Sequence, residues 1–128
     1  MKKFKQIDFG IGQATIYEHY LIMIINQGET VHVKCNTMLL DTIDKFYKNK
    51  KFVYITHRLN SYAVNPAVYH ETQKIENLIG FAVVSNKEMD LNNAKIEKLF
   101  FNKPFEIFSE LDEAILWAEK LYEQSVKP

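Results

Sequence analysis

The sequence predicts an α/β domain built on a mixed, largely parallel sheet of about five strands with flanking helices. Three observations carry this. Through the last two thirds of the chain, short β-branched and aromatic runs alternate with amphipathic helical stretches. Such alternation implies βαβ units with right-handed crossovers. The first third holds strand-like runs with no helix between them, so they should pair antiparallel at one edge. Finally, 128 residues, 47% of them apolar, suit one domain with its own core, taken as residues 1–128.

The elements follow in order. Ile7, Phe9 and Ile11 alternate with Asp8 and Gly10, the period of a strand. Gly10 and Gly12 permit a turn, and residues 14–17 form a half-polar strand. Glu18-His19 marks a tight turn. Residues 20–25 are apolar on both faces, as a central strand covered on both sides would be. The period then changes. Met38, Leu39, Ile43, Phe46 and Tyr47 fall near helical spacing behind Asn36 or Thr37 as a cap, and Lys48, Lys50 and Lys51 complement the dipole at the far end. Residues 52–56 read as a second buried strand. Asn65-Pro66 opens another helix, with Asn as cap and Pro at the first position, and Val68, Thr72 and Ile75 as its inward stripe.

Residues 79–84 are a third buried strand. A helix over residues 90–101 should turn Ala94, Ile96, Leu99 and Phe100 inward before Pro104 ends it. Residues 105–108 form a short alternating strand. Ser109-Glu110-Leu111-Asp112 has the form of a capping box with serine as cap. Leu111, Ala114, Ile115, Ala118, Leu121 and Tyr122 then hold the helical period, with Trp117 flanking that stripe against the sheet.

Composition excludes several classes. Sixteen cations balance sixteen anions, which argues against a nucleic-acid binder with its basic excess, and against a disordered chain. The single Cys35 leaves no intramolecular disulfide framework and fits a reducing compartment. The basic start has no apolar h-region behind it, and the longest apolar run falls far short of the roughly 20 residues of a transmembrane helix. The expected location is therefore the cytoplasm. His32 and Cys35 have His-x-x-Cys spacing, but zinc sites pair such ligands at both ends and no second pair exists, so no metal is expected. No cofactor motif is present: there is no Gly-x-Ser-x-Gly elbow and no Gly-rich phosphate loop. No catalytic residue is assigned and no enzyme is expected.

The C-terminal half carries a family resemblance. Phe81-Ala82-Val83-Val84-Ser85-Asn86, then Phe105-Glu106-Ile107-Phe108, then Leu111-Asp112-Glu113-Ala114-Ile115-Leu116-Trp117-Ala118 resemble the SpoIIAA-like family of small bacterial proteins. That family has the STAS fold of anti-sigma-factor antagonists. The resemblance implies this fold and says little about activity, because these motifs are core and capping features. The antagonists carry a phosphorylatable serine in an Asp-Ser-Ser-Gly-like setting. Here Ser61 has neither an acid nor a glycine beside it, which departs from a phospho-switch.

The loop from Thr56 to Tyr62 is the densest in polar chemistry. It follows a buried strand, so it lies at the carboxyl end of a parallel sheet, where ligands of open α/β sheets bind. It gathers His57, Asn60, Ser61, Tyr62 and Arg58, the sole arginine beside fifteen lysines. Arg58, Asn60 and backbone amides could hold an anionic group. Equally, a long connection needs polar residues to satisfy its own backbone. Ser85, Asn86 and Lys87 end the next strand and either line the same pocket or cap the following helix. Tyr62, Tyr69 and Phe101 fit the apolar stripes poorly and could form an exposed patch for a partner or a homodimer. The expected function is a binding module for a protein partner or a small anionic or lipid-like ligand. The alternatives are a small enzyme using the His57–Ser61 loop and a phospho-switch at Ser61.

Overall fold

Runs that alternate or stay apolar for six residues extend as strands, and the glycine and polar turns between the first of them fold these back on one another. In the computed structural model, which describes residues 3–127, β1 (Lys3–Asp8), β2 (Gly12–Tyr17) and β3 (Tyr20–Ile25) form an antiparallel meander. β3 then pairs parallel with β5 (Phe52–His57), β5 with β7 (Leu78–Val84), and β7 with β8 (Phe105–Phe108). The sheet therefore has six strands where about five were expected, in the order β1-β2-β3-β5-β7-β8. A separate parallel ribbon joins β4 (Thr30–Val31) to β6 (Ala63–Val64). Pairs of residues are too short to show a period, so sequence reading passes over them.

The crossovers are α1 (Cys35–Phe46), α2 (Ala67–Thr72) and α3 (Glu88–Glu97), the last continued by a 3-10 turn at Lys98–Phe100. Right-handed crossovers that all step the same way along a sheet lie on the same face. Accordingly Leu39, Ile43, Tyr69 and Ala94 share a core with Leu21, Met23, Phe52 and Phe81. α4 (Leu111–Val126) follows the last strand and covers the other face, where Ala114 and Ala118 meet Tyr20, Ile22, Val53, Ile55, Ala82 and Val84. Adjacent residues of β3, β5 and β7 thus enter opposite cores, as strand alternation requires. Each large apolar side chain so buried contributes on the order of 1.5–3 kcal/mol.

Large side chains of α4 seat on the sheet where Gly80 offers no side chain to meet them. A Cβ on Gly80 would stand 2.5 Å from Leu121 Cδ2 and 3.0 Å from the Trp117 ring. The far end of α4 is pinned by polar contacts. His19 Nδ1 and Glu119 Oε1 are 2.8 Å apart, His19 stacks on Tyr122, and Lys51 donates to the Ser125 carbonyl at 2.6 Å.

Several local expectations need correction. Ser109 does not cap α4: Glu110 holds the extended cap position, with no side-chain capping bond, and Asp112 and Glu113 face the positive end of the dipole instead. α1 starts at Cys35, ahead of the expected Asn36 or Thr37 cap. α2 starts at Ala67 with Pro66, not Asn65, at the cap position; Asn65 Oδ1 still accepts from the Ala67 amide at 3.0 Å, and Val68, Thr72 and Ile75 are buried. Along α3 and the turn that follows it, Ile96, Leu99 and Phe100 are exposed, Leu99 at 82%, while Ala94, Glu97 and, just past the turn, Phe101 are buried. The inward stripe runs through an acid, and an apolar period cannot reveal that. Tyr69 and Phe101 form no exposed patch either. Both are buried in an aromatic cluster, with Tyr69 at 5.4 Å from Phe81 and Phe101 at 5.9 Å from Phe105, ring centre to ring centre. Tyr62 is half-buried. Among the described residues, no helix is long and apolar enough to cross a membrane.

Candidate functional site

Alternation along β5 decides where the loaded loop sends its side chains. Tyr54 and Thr56 face α1 and α2, whereas Val53 and Ile55 face α4. The Arg58 amide donates to the Val84 carbonyl at 2.9 Å and carries the β5–β7 pairing past the strand end. Arg58 therefore falls on the side of Thr56, beneath α2 and α3. His57, one residue earlier, follows the opposite parity. It is half-buried, and burial holds its pKa below the ordinary 6.5.

Arg58 is only 6% exposed. Its Nη1 donates to Glu97 Oε2 at 3.0 Å, and its Nη2 donates to Glu97 Oε1, a forked pair held between the loop and α3. The Tyr69 hydroxyl donates to the same Oε1. Burial alone would lower the guanidinium pKa, but the Glu97 hydrogen bonds and charge outweigh it and raise it. Burial, then the Glu97 charge, pushes the Tyr69 hydroxyl well above its usual range. The Tyr62 ring lies 5.6 Å from the guanidinium carbon, and its hydroxyl is 3.0 Å from Thr56 Oγ1. Arg58 Nε is buried with no acceptor among the described residues. The sole arginine thus holds an acid of its own chain, its charge cancelled in place.

The rest of the loop secures backbone. Asn60 Nδ2 donates to the Ile25 carbonyl at 2.9 Å, the Ser61 amide donates to Gln27 Oε1 at 2.8 Å, and the Gly28 amide donates to the Ser61 carbonyl at 2.8 Å. These bonds lay the loop along the segment after β3 and lead it into the β4–β6 ribbon. Ser85 Oγ donates to Asp90 Oδ2 at 2.7 Å and accepts from the Lys87 amide at 3.1 Å, which organises the start of α3. Asn86 and Lys87 are exposed.

Beside the ion pair, the sheet and the first two helices leave a cavity of about 210 Å³. Met23 and Ile25 of β3, Tyr54 of β5 and Phe81 of β7 line it from the sheet, and Leu39 and Val68 line it from α1 and α2. It lies toward the carboxyl ends of β3 and β5. Arg58, Tyr69 and Thr56 give the buried part of its wall a polar element. His32, Lys34 and Met38 are exposed lining residues and mark its mouth.

Of the residues expected from sequence to bind a ligand, Arg58 and Tyr62 line this cavity. His57, Asn60, Ser61, Ser85, Asn86 and Lys87 do not. No hydrogen bond joins His57 to Ser61 among the described residues. Nor does any group of three or more His, Cys, Asp or Glu side chains there suit a metal ion, the Cys35 side chain lying outside those described. Sequence reading missed Glu97 and the apolar wall, and it took Tyr69 for part of an exposed patch although Tyr69 is buried against the ion pair. The signal for Glu97 was present: Asp90, Ala94, Glu97 and Phe101 recur at helical spacing, and the buried members of that row include the acid. Compared with known protein families, curated proteins and solved structures, the chain matches none.

Proposed function

We propose that this chain is a non-enzymatic, SpoIIAA-like binding module. It encloses the apolar part of a small lipid-like ligand between the sheet and α1–α2. The observation that carries the reading is the mainly apolar cavity at the carboxyl ends of β3 and β5, with a few polar groups placed in its wall. Ligand sites in general combine these two properties. Strand–helix alternation behind an antiparallel opening supports the SpoIIAA-like kinship. The volume exceeds the roughly 150 Å³ that accommodates benzene and falls below the roughly 300 Å³ at which drug-sized sites begin. A single ring or a short chain is the size that fits.

The test is a titration of isotope-labelled protein with toluene and 1-hexanol, repeated on Val68→Trp, which fills the cavity from α2. Amide shifts should concentrate on β3, β5, α1 and α2 and vanish in the variant. Shifts that persist unchanged in folded Val68→Trp, or no shifts with either probe in the parent, sink the proposal.

A further inference from the structure

The cavity has polar groups at its buried end and at its mouth, and the two differ in what they can still accept. At the buried end both Arg58 terminal nitrogens are engaged by Glu97, and Nε is shielded within the protein. An anion driven there would meet the Glu97 carboxylate and lose its water, a penalty of several kcal/mol for a buried ion. Arg58 is the tempting anchor for an anion, and the geometry removes it.

The mouth has the opposite balance. His32 and Lys34 are both exposed there, and none of the described lining residues is acidic. Lys34 also stands at the start of the 12-residue helix α1, whose first turn holds no acidic side chain. An anionic group at the mouth keeps most of its water, while the apolar body behind it gains on the order of 0.8 kcal/mol per buried methylene.

We infer that the ligand is a short-chain or single-ring carboxylate. Its apolar body fills the cavity, and its carboxylate stays at the mouth against Lys34, beside His32. This rests on the binding-module reading above and names the ligand class for that site. The volume sets an upper length of roughly six to eight carbons.

The experiment is calorimetric and amide-shift titration at low salt with three probes of one shape: octanoate, octanamide and octylamine. Hexadecanoate serves as the length control, and Lys34→Glu as the charge control at an exposed position. Octanoate should bind roughly three- to fivefold more tightly than octanamide, the range of an exposed charge contact, with octylamine weakest. Lys34→Glu should erase that order, so that octanoate no longer binds more tightly than octanamide. If octanamide matches octanoate in the parent protein, the carboxylate assignment is overturned while the cavity reading stands. If hexadecanoate binds more tightly than octanoate, the size assignment is overturned. If none of the probes perturbs the cavity residues, the binding-module reading itself falls.

Discussion

Under α4 the sheet meets its helix through Gly80, Ala114 and Ala118, and the Leu121 and Trp117 side chains occupy the space that a methyl on Gly80 would need. Under α1 and α2 it meets them through Tyr54, Tyr69 and Phe81, large rings that prop the helices away and leave about 210 Å³ unfilled. The difference teaches that side-chain size sets the depth of closure. Small residues give a closely packed layer. Aromatic and polar residues give a layer with room in it, and here that layer also carries the buried ion pair. Strand alternation assigns neighbouring residues to these two regimes, so His57 and Arg58 sit one residue apart in different environments.

That contrast can be attacked from both sides. The largest effect belongs to the open face. Glu97→Ala leaves the Arg58 guanidinium buried and unpaired and should cost about 3–5 kcal/mol in urea unfolding. Adding Arg58→Met to Glu97→Ala should recover most of that loss, since an apolar side chain of similar length replaces an uncompensated charge. A Glu97→Ala protein as stable as the parent would show that the pair is not desolvated as described.

Next comes the closely packed face. Gly80→Val forces a branched side chain into Leu121 and Trp117 and should cost roughly 1–3 kcal/mol, read as a lower urea midpoint with an unchanged slope. The matching enlargement on the other face, Val68→Leu, enters the cavity and should be neutral or stabilising by up to about 1 kcal/mol. Equal losses for the two would dissolve the distinction between the faces.

The smallest effect is the pH response of His57. Burial lowers its folded pKa below the ordinary 6.5, so on acidification the unfolded chain takes up this proton first. The resulting contribution is fully present above pH 6.5 and is lost as pH falls from there to the folded pKa. His57→Gln should show a shallower decline of stability across that window. An identical decline in parent and variant would place the titration elsewhere.

Much of this was legible along the chain. β3, β5, β7 and α4 announce themselves by local period and composition, because a strand covered on both sides must be apolar throughout and a helix on a sheet must show one stripe. α3 was misjudged for the same reason that those succeeded. The reading rewards apolarity, and the row that faces the core contains Glu97 while the exposed side carries Ile96, Leu99 and Phe100. The site was legible only as a location. The loop after β5 stood out by its density of polar residues, yet Asn60 and Ser61 turned out to bond nearby chain, and Thr56, Arg58 and Tyr62 are its members that line the cavity.

Local pattern was sufficient for the class of fold, for the antiparallel opening and for the two-sided burial of the central strands, since each depends on periods contained within a few residues. Packing alone settled the partner of Arg58, the inward turn of Glu97 and the cavity beside them. The two charges lie 39 residues apart, and no period in either segment encodes their meeting. A cavity is the volume that side chains from several elements fail to fill, and that becomes defined only when those elements are set against one another.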